Sequence, residues 1–287
     1  MEDGRATLKT EGPKVRVRDT LWLWGHPAGS HHGEEARHYN VPGASRITPV
    51  EAAHYMGIPN LLMVTYPGFG PEPPYDQLAL SMRSLDQVVW SVVGAAGETN
   101  ASARDEVLKL ARRTPNITGI MMDDFFHDPG AEDEGKRAAL SLSDLRAIRD
   151  QLVLDDRTLD LWVVLYDYQL GKPVDDYLGL CDVVTFWTWQ SQHLPRLEEN
   201  FQRFEQTAAA QTRLLGCYLW DYGNEGPMPV DLMQKQCEFG LEMLKAGRIS
   251  GMIMLASCIC DLELETVEWT RRWIAEVGEM ELRRGHR

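Results

Sequence analysis

Eight short apolar runs, spaced along the whole chain and separated by amphipathic segments, constrain this sequence more than any other feature. They fall at residues 20–24, 60–66, 87–93, 118–122, 159–166, 182–187, 214–220 and 250–256. Most are continuously apolar rather than alternating, the pattern of parallel strands covered on both faces.

Helix signals occupy the intervals. Thr48-Pro49-Val50-Glu51 combines an N-cap threonine, a proline at the first helical position and a capping-box glutamate. Ser102-x-x-Asp105 and Ser141-x-x-Asp144 read as two further caps. Additional helices are expected at 75–85, 174–180, 194–209, 230–245 and 263–276, with stops at Gly57-Ile58-Pro59, Thr114-Pro115 and Ala246-Gly247. Eight such units without a composition break predict an α/β fold, a single (β/α)8 TIM barrel over residues 1–287, with 1–18 as an extended N-terminal segment. An open doubly wound sheet is the rival, but no glycine-rich first turn supports it.

A formal charge of −14 argues against nucleic-acid partners, whose phosphates such a surface repels. No run reaches the roughly 18 apolar residues of a membrane span, and the N-terminus lacks the apolar core of a signal peptide. Five cysteines without a CxxC pair read as buried small hydrophobes in a reducing, cytoplasmic setting. The expected partner is a small molecule. Homo-oligomer formation stays open.

In a barrel the residues just past each strand converge on one mouth, where active sites of this fold sit. Carboxylates and aromatics dominate that rim, and the Asp123–Asp124 pair is its sharpest feature. Strand alternation lets only one member face the mouth squarely, leaving the other to orient a loop or bind its partner. Two like charges this close raise one pKa, which suits a catalytic acid. Asp167 and Asp221 end the fifth and seventh runs and complete a candidate catalytic set, with Asp221 the first choice as partner across the barrel. Asp261 reads as an N-cap of the eighth helix.

Nine tryptophans are many for this length; Trp24, Trp187, Trp189 and Trp220 lie at strand ends, where indole faces stack on sugar rings, while Trp90, Trp162 and Trp269 read as core. His26, Tyr66, Phe126, Gln190, Tyr222 and Glu225 complete the candidate substrate-binding set. The long first connection, residues 25–47, holds His26, His31, His32 and His38, which with the strand-end aspartates could form a metal site. Without fixed spacing or an H-x-H at the first strand, no metal and no cofactor are expected. Phosphate-cradling loops, a GxSxG elbow and a strand-tip lysine are all missing.

TGIMMDDFF at 118–126, taken with LWVVLYDYQ, FWTWQ and LLGCYLWDYG, resembles the strand-end segments of glycoside-hydrolase-type TIM barrels. The resemblance is to that broad class, of bacterial type, rather than to one family within it. It implies Asp123 or Asp124 as nucleophile or acid, Asp167 and Asp221 as acid or stabiliser, and a carbohydrate-active hydrolase as the function. The chain departs from the chitinase-like DxxDxDxE pattern because no glutamate ends strand four, and it lacks the Asn-Glu pair of the large retaining clan. The alternatives are a metal-assisted hydrolase or sugar isomerase on the same mouth, and a non-catalytic sugar-binding barrel.

Overall fold

The structure is a computed structural model and describes residues 14–32, 39–127 and 137–282. Eight parallel strands close into a barrel: β1 (Leu21–Gly25), β2 (Asn60–Met63), β3 (Gln87–Val93), β4 (Ile117–Met122), β5 (Asp160–Tyr166), β6 (Val183–Trp187), β7 (Thr212–Tyr218) and β8 (Gly251–Leu255). Closure comes from β8, which pairs with both β1 and β7. The helices are α1 (Pro49–Met56), α2 (Asp76–Met82), α3 (Ala101–Arg113), α4 (Leu142–Asp150), α5 (Asp175–Leu178), α6 (Leu197–Thr207), α7 (Val230–Lys245) and α8 (Glu265–Val277). The single (β/α)8 barrel read from the eight runs is the observed fold.

Two strands stop short of their apolar runs. Past β2 the amide of Thr65 turns to Ser91 Oγ at 2.8 Å, and Tyr66 bridges to Gly70 across a tight loop. Past β7, Trp220–Asp221 leaves the barrel and pairs with Gly226–Pro227 in a small hairpin.

Large side chains fill the barrel from opposite walls. Trp22 of β1 meets Trp162 of β5 with ring centroids 4.9 Å apart, and these strands lie across the ring from each other. One layer higher, Trp24 of β1 meets Trp187 of β6 at 5.2 Å. The Trp187 indole fits only because β7 offers Gly216 beneath it; a Cβ there would lie 2.1 Å from the ring. The outward face is apolar too, with Phe186 stacked on Phe204 of α6 at 4.8 Å. Trp90 packs against Tyr75 outside the sheet and is core as expected, whereas Trp269, stacked on Trp273 along α8, is only partly buried against the core.

The caps show where local sequence decided local structure. Thr48 and Glu51 form the expected box at α1, Gly57 closes that helix with φ 69°, and Ser141 caps α4 through the amide of Asp144 at 3.1 Å. At α3 the cap is Asn100, whose side chain accepts from the Ala103 amide at 3.1 Å, so Ser102 falls inside the first turn instead of preceding it. Asp261 does not cap α8 either. Its Oδ2 accepts the amides of Arg46 and Ile47 at 2.7 and 3.1 Å, fastening the return of the first connection to the loop after β8.

Of the segment 1–18, residues 1–13 lie outside the described residues; Val15–Arg16 pairs antiparallel with Glu281–Leu282, and Arg18–Thr20 makes one 3-10 turn leading into β1. All five cysteines are free and buried. No described helix is long and apolar enough to cross a membrane.

Candidate active site

The strand alternation that brings Gly119 against the interior Trp162 indole also carries Met121 and Asp123 inward at the end of β4. Asp123 is 4% exposed, and its Oδ1 accepts the amide of Asp124 at 2.9 Å. Asp124 takes φ 43°, a left-handed conformation aspartate tolerates better than most residues. That turn breaks the extended geometry on which the one-inward, one-outward expectation rested. Asp124 Oδ1 accepts from the Tyr166 hydroxyl at 2.6 Å, and Oδ2 accepts the Ala96 amide at 2.8 Å from the loop after β3. Asp124 thus anchors a loop, as expected of the second member, yet also reaches an inward tyrosine at the tip of β5.

Both carboxyls neighbour the same ring of phenols. Burial first, then neighbours including Asp123 and Asp124, raise the hydroxyl pKa of Tyr39, Tyr66, Tyr166 and Tyr218, which stay protonated as donors. Burial, reinforced by the charge of Asp124, holds the Asp123 carboxyl well above the usual carboxylate range. Half-buried Trp189 meets Tyr166 edge-on at 5.6 Å and Tyr218 at 5.9 Å, and Tyr168 stacks on Tyr166 at 5.2 Å. Tyr166 and Tyr218 were not among the expected site residues. The signal was there: each is the last inward position of its strand, Tyr166 four residues beyond the interior Trp162 and Tyr218 two beyond Gly216. Tyr39 carries no such mark, since it sits within the long first connection.

His26, just past β1, opens a directional chain of hydrogen bonds. Trp24 Nε1–H donates to His26 Nε2 at 3.0 Å, so the His26 proton lies on Nδ1 and faces His31 Nε2 at 2.8 Å. His31 then carries its proton on Nδ1 and donates it to the Tyr222 hydroxyl at 3.0 Å. Full burial depresses the His26 pKa to about 3, so the ring is neutral near pH 7. The Cys258 thiol lies close enough that His26, His31 and Cys258 offer ligand atoms within 4.8 Å of one another. The donor set suits a soft ion, but the protonation pattern does not fit one. A metal on His26 Nδ1 requires a proton on Nε2, directly opposing the Trp24 N–H. The strand-end aspartates are not in that group, His32 is exposed, and His38 lies outside the described residues.

The other expected residues take different places. Asp167 Oδ1 accepts the Trp189 amide at 3.1 Å, and its Oδ2 meets His193 Nδ1 at 2.9 Å. Asp221 accepts the Ser191 amide at 3.4 Å and the Asn224 side chain at 2.7 Å. Both carboxylates hold the connection after β6, not the Asp123–Asp124 cluster. Gln190 donates to Gly223 O at 3.4 Å, and buried Trp220 donates to the Tyr39 carbonyl at 2.8 Å. Trp24 and Trp187 form the floor beneath the mouth, 2% and 1% exposed. Phe126 is buried between Phe125 and Tyr177, and Glu225 stands on an exposed turn with φ 55°. Tyr66 packs 5.1 Å from the His26 ring.

No protein-family model and no curated protein sequence matches the chain. Solved structures do match in shape. A provisional alpha-L-fucosidase from Bacteroides thetaiotaomicron superposes with a TM-score of 0.58 at 12% identity, over 95% of this chain and 100% of that one. The spore cortex-lytic enzyme SleL of Bacillus megaterium gives 0.55 at 11%, over 96% and 77%. The xylanase-alpha-amylase inhibitor protein XAIP-I, solved with trehalose, gives 0.55 at 10%, over 90% and 98%. At these identities the likeness is one of fold alone, the closed (β/α)8 barrel.

Proposed function

We propose that this barrel is a carbohydrate-active hydrolase that cleaves a glycosidic bond at the strand-end mouth. One observation carries the reading: Asp123 is a buried carboxyl whose protonated form is favoured by its surroundings, beside a second carboxylate, Asp124, with two hydrogen-bond donors. Glycoside hydrolysis needs that division of labour. Asp123 donates its proton to the leaving oxygen. Asp124, fixed by Tyr166 and Ala96, stabilises the positive charge that develops on the sugar ring. The phenols of Tyr66 and Tyr218 supply donors for sugar oxygens, and Trp189 supplies an apolar face. The five buried free thiols fit a reducing, cytoplasmic setting.

A panel of aryl α- and β-glycosides tests this directly. Asp123→Asn and Asp124→Asn should each lower kcat by about 10²–10⁴-fold, the usual share of one acid–base group, with the fold retained by circular dichroism. Full activity in both variants would sink the reading. The likeness to an inhibitor protein solved with trehalose favours one alternative, a barrel that binds saccharide without turnover; calorimetry would then show binding with no product.

A further inference from the structure

Asp167 and Asp221, from the tips of β5 and β7, converge on one segment between them, the connection that follows β6. Asp167 takes the Trp189 amide and the His193 ring, and Asp221 takes the Ser191 amide. Asn224, itself bonded to Asp221, also donates to the Gln192 side chain at 2.7 Å. The segment is therefore pinned from both sides.

A carboxylate offers only acceptors, so each partner of Asp167 must donate, and the proton of neutral His193 lies on Nδ1. Nε2 is then a bare acceptor, with no hydrogen-bond partner among the described residues. The Asp167 side chain is 4% exposed, whereas that of His193 is 43% exposed. An imidazole locked in one tautomer by a buried carboxylate, its far nitrogen open at the strand-end face, is the arrangement of a general base. Aromatic side chains stand on the same strand-end loops: Trp189, whose amide shares Asp167 with His193, lies edge-on to Tyr166 and Tyr218, and Tyr168, 43% exposed, stacks on Tyr166.

We propose that His193 is a further catalytic residue of this mouth, the base that takes a proton from the attacking water, with Asp167 and Asp221 as its positioning residues. This rests on the glycosidase reading. A water O–H bond breaks to His193 Nε2 as the water oxygen bonds the sugar carbon. The glycosidic C–O bond breaks with its electron pair, and the Asp123 proton goes to the leaving oxygen. The charge left on the imidazolium lies against Asp167.

Nitrogen-15 NMR of the histidine rings in the full chain, with kinetics on whichever aryl glycoside is turned over, tests it. Wild type should show the His193 proton on Nδ1. In Asp167→Asn the amide oxygen must serve the Trp189 N–H, which turns the NH₂ toward His193 and moves its proton to Nε2. Asp167→Asn and His193→Ala should each lower kcat by about 10²–10⁴-fold with little change in KM. The double variant should be no slower than His193→Ala alone, because the two act as a unit, and added imidazole should restore part of the His193→Ala rate. Multiplying losses, no rescue, or a wild-type proton on Nε2 would overturn the assignment. If no glycoside is turned over, the glycosidase reading fails by itself. The tautomer still decides the dyad: inversion by Asp167→Asn supports it, and indifference to that substitution overturns it.

Discussion

The Nδ1 of His26 lies 2.8 Å from the Nε2 of His31, and the indole N–H of Trp24 closes the other side of the His26 ring. The arrangement leaves no room for a second proton on His26, which agrees with its pKa near 3 against 6.5 in the unfolded chain. The unfolded state therefore takes up a proton that the native state refuses as pH falls below 6.5. The stability present above pH 6.5 is lost at up to about 1.4 kcal/mol per pH unit on the way down toward pH 3. Urea midpoints of wild type and His26→Asn between pH 7 and 4 should converge as the pH falls.

Asp123 gives the opposite slope. Its folded pKa is raised, so its contribution is fully present below the unfolded carboxylate pKa and is lost as pH rises through the folded value. Asp123→Asn keeps an acceptor for the Asp124 amide and has nothing to ionise. Its melting temperature should exceed that of wild type by a margin that grows from pH 4 to pH 9 in scanning calorimetry. A constant difference would show that Asp123 ionises in the native state as it does in the unfolded chain.

Gly216→Ala tests the packing of the floor. The added methyl meets the Trp187 ring at a separation no Cβ adopts, and Trp187 is held by Trp24, Tyr218 and the Thr185 hydroxyl. The overpacking should cost about 1–3 kcal/mol or more, read from denaturant unfolding. Gly216→Ala combined with Trp187→Phe should recover part of that loss.

Asp261→Ala should speed amide exchange at Arg46 and Ile47, the two donors it releases, and leave the first turn of α8 unchanged. The stability cost should be about 1–3 kcal/mol, as for hydrogen bonds to a charged acceptor. Exchange that quickens at α8 instead would return Asp261 to the role of helix cap.

The barrel was legible because parallel strands buried on both faces leave uninterrupted apolar runs, and Thr48 and Ser141 mark their helices chemically. The site was legible in part. Asp123 and Asp124 stood out as a pair at a strand end, but a positive φ at Asp124 is invisible to an argument built on alternation. Tyr166 and Tyr218 were hidden inside apolar runs, where tyrosine reads as one more strand former. Asp167 and Asp261 show a different obstacle: an aspartate at a strand tip looks the same whether it serves a substrate, a histidine or a distant backbone amide. Only the chain brought back from 26 or 215 residues away decides which.

The pairing of Val15–Arg16 with Glu281–Leu282 has a practical corollary. It lies where the described chain enters β1 and leaves α8, on the face where the strands begin, opposite the mouth. The ladder therefore ties the first described strand turn to the last, and an element at one end of the described fold braces the element at the other.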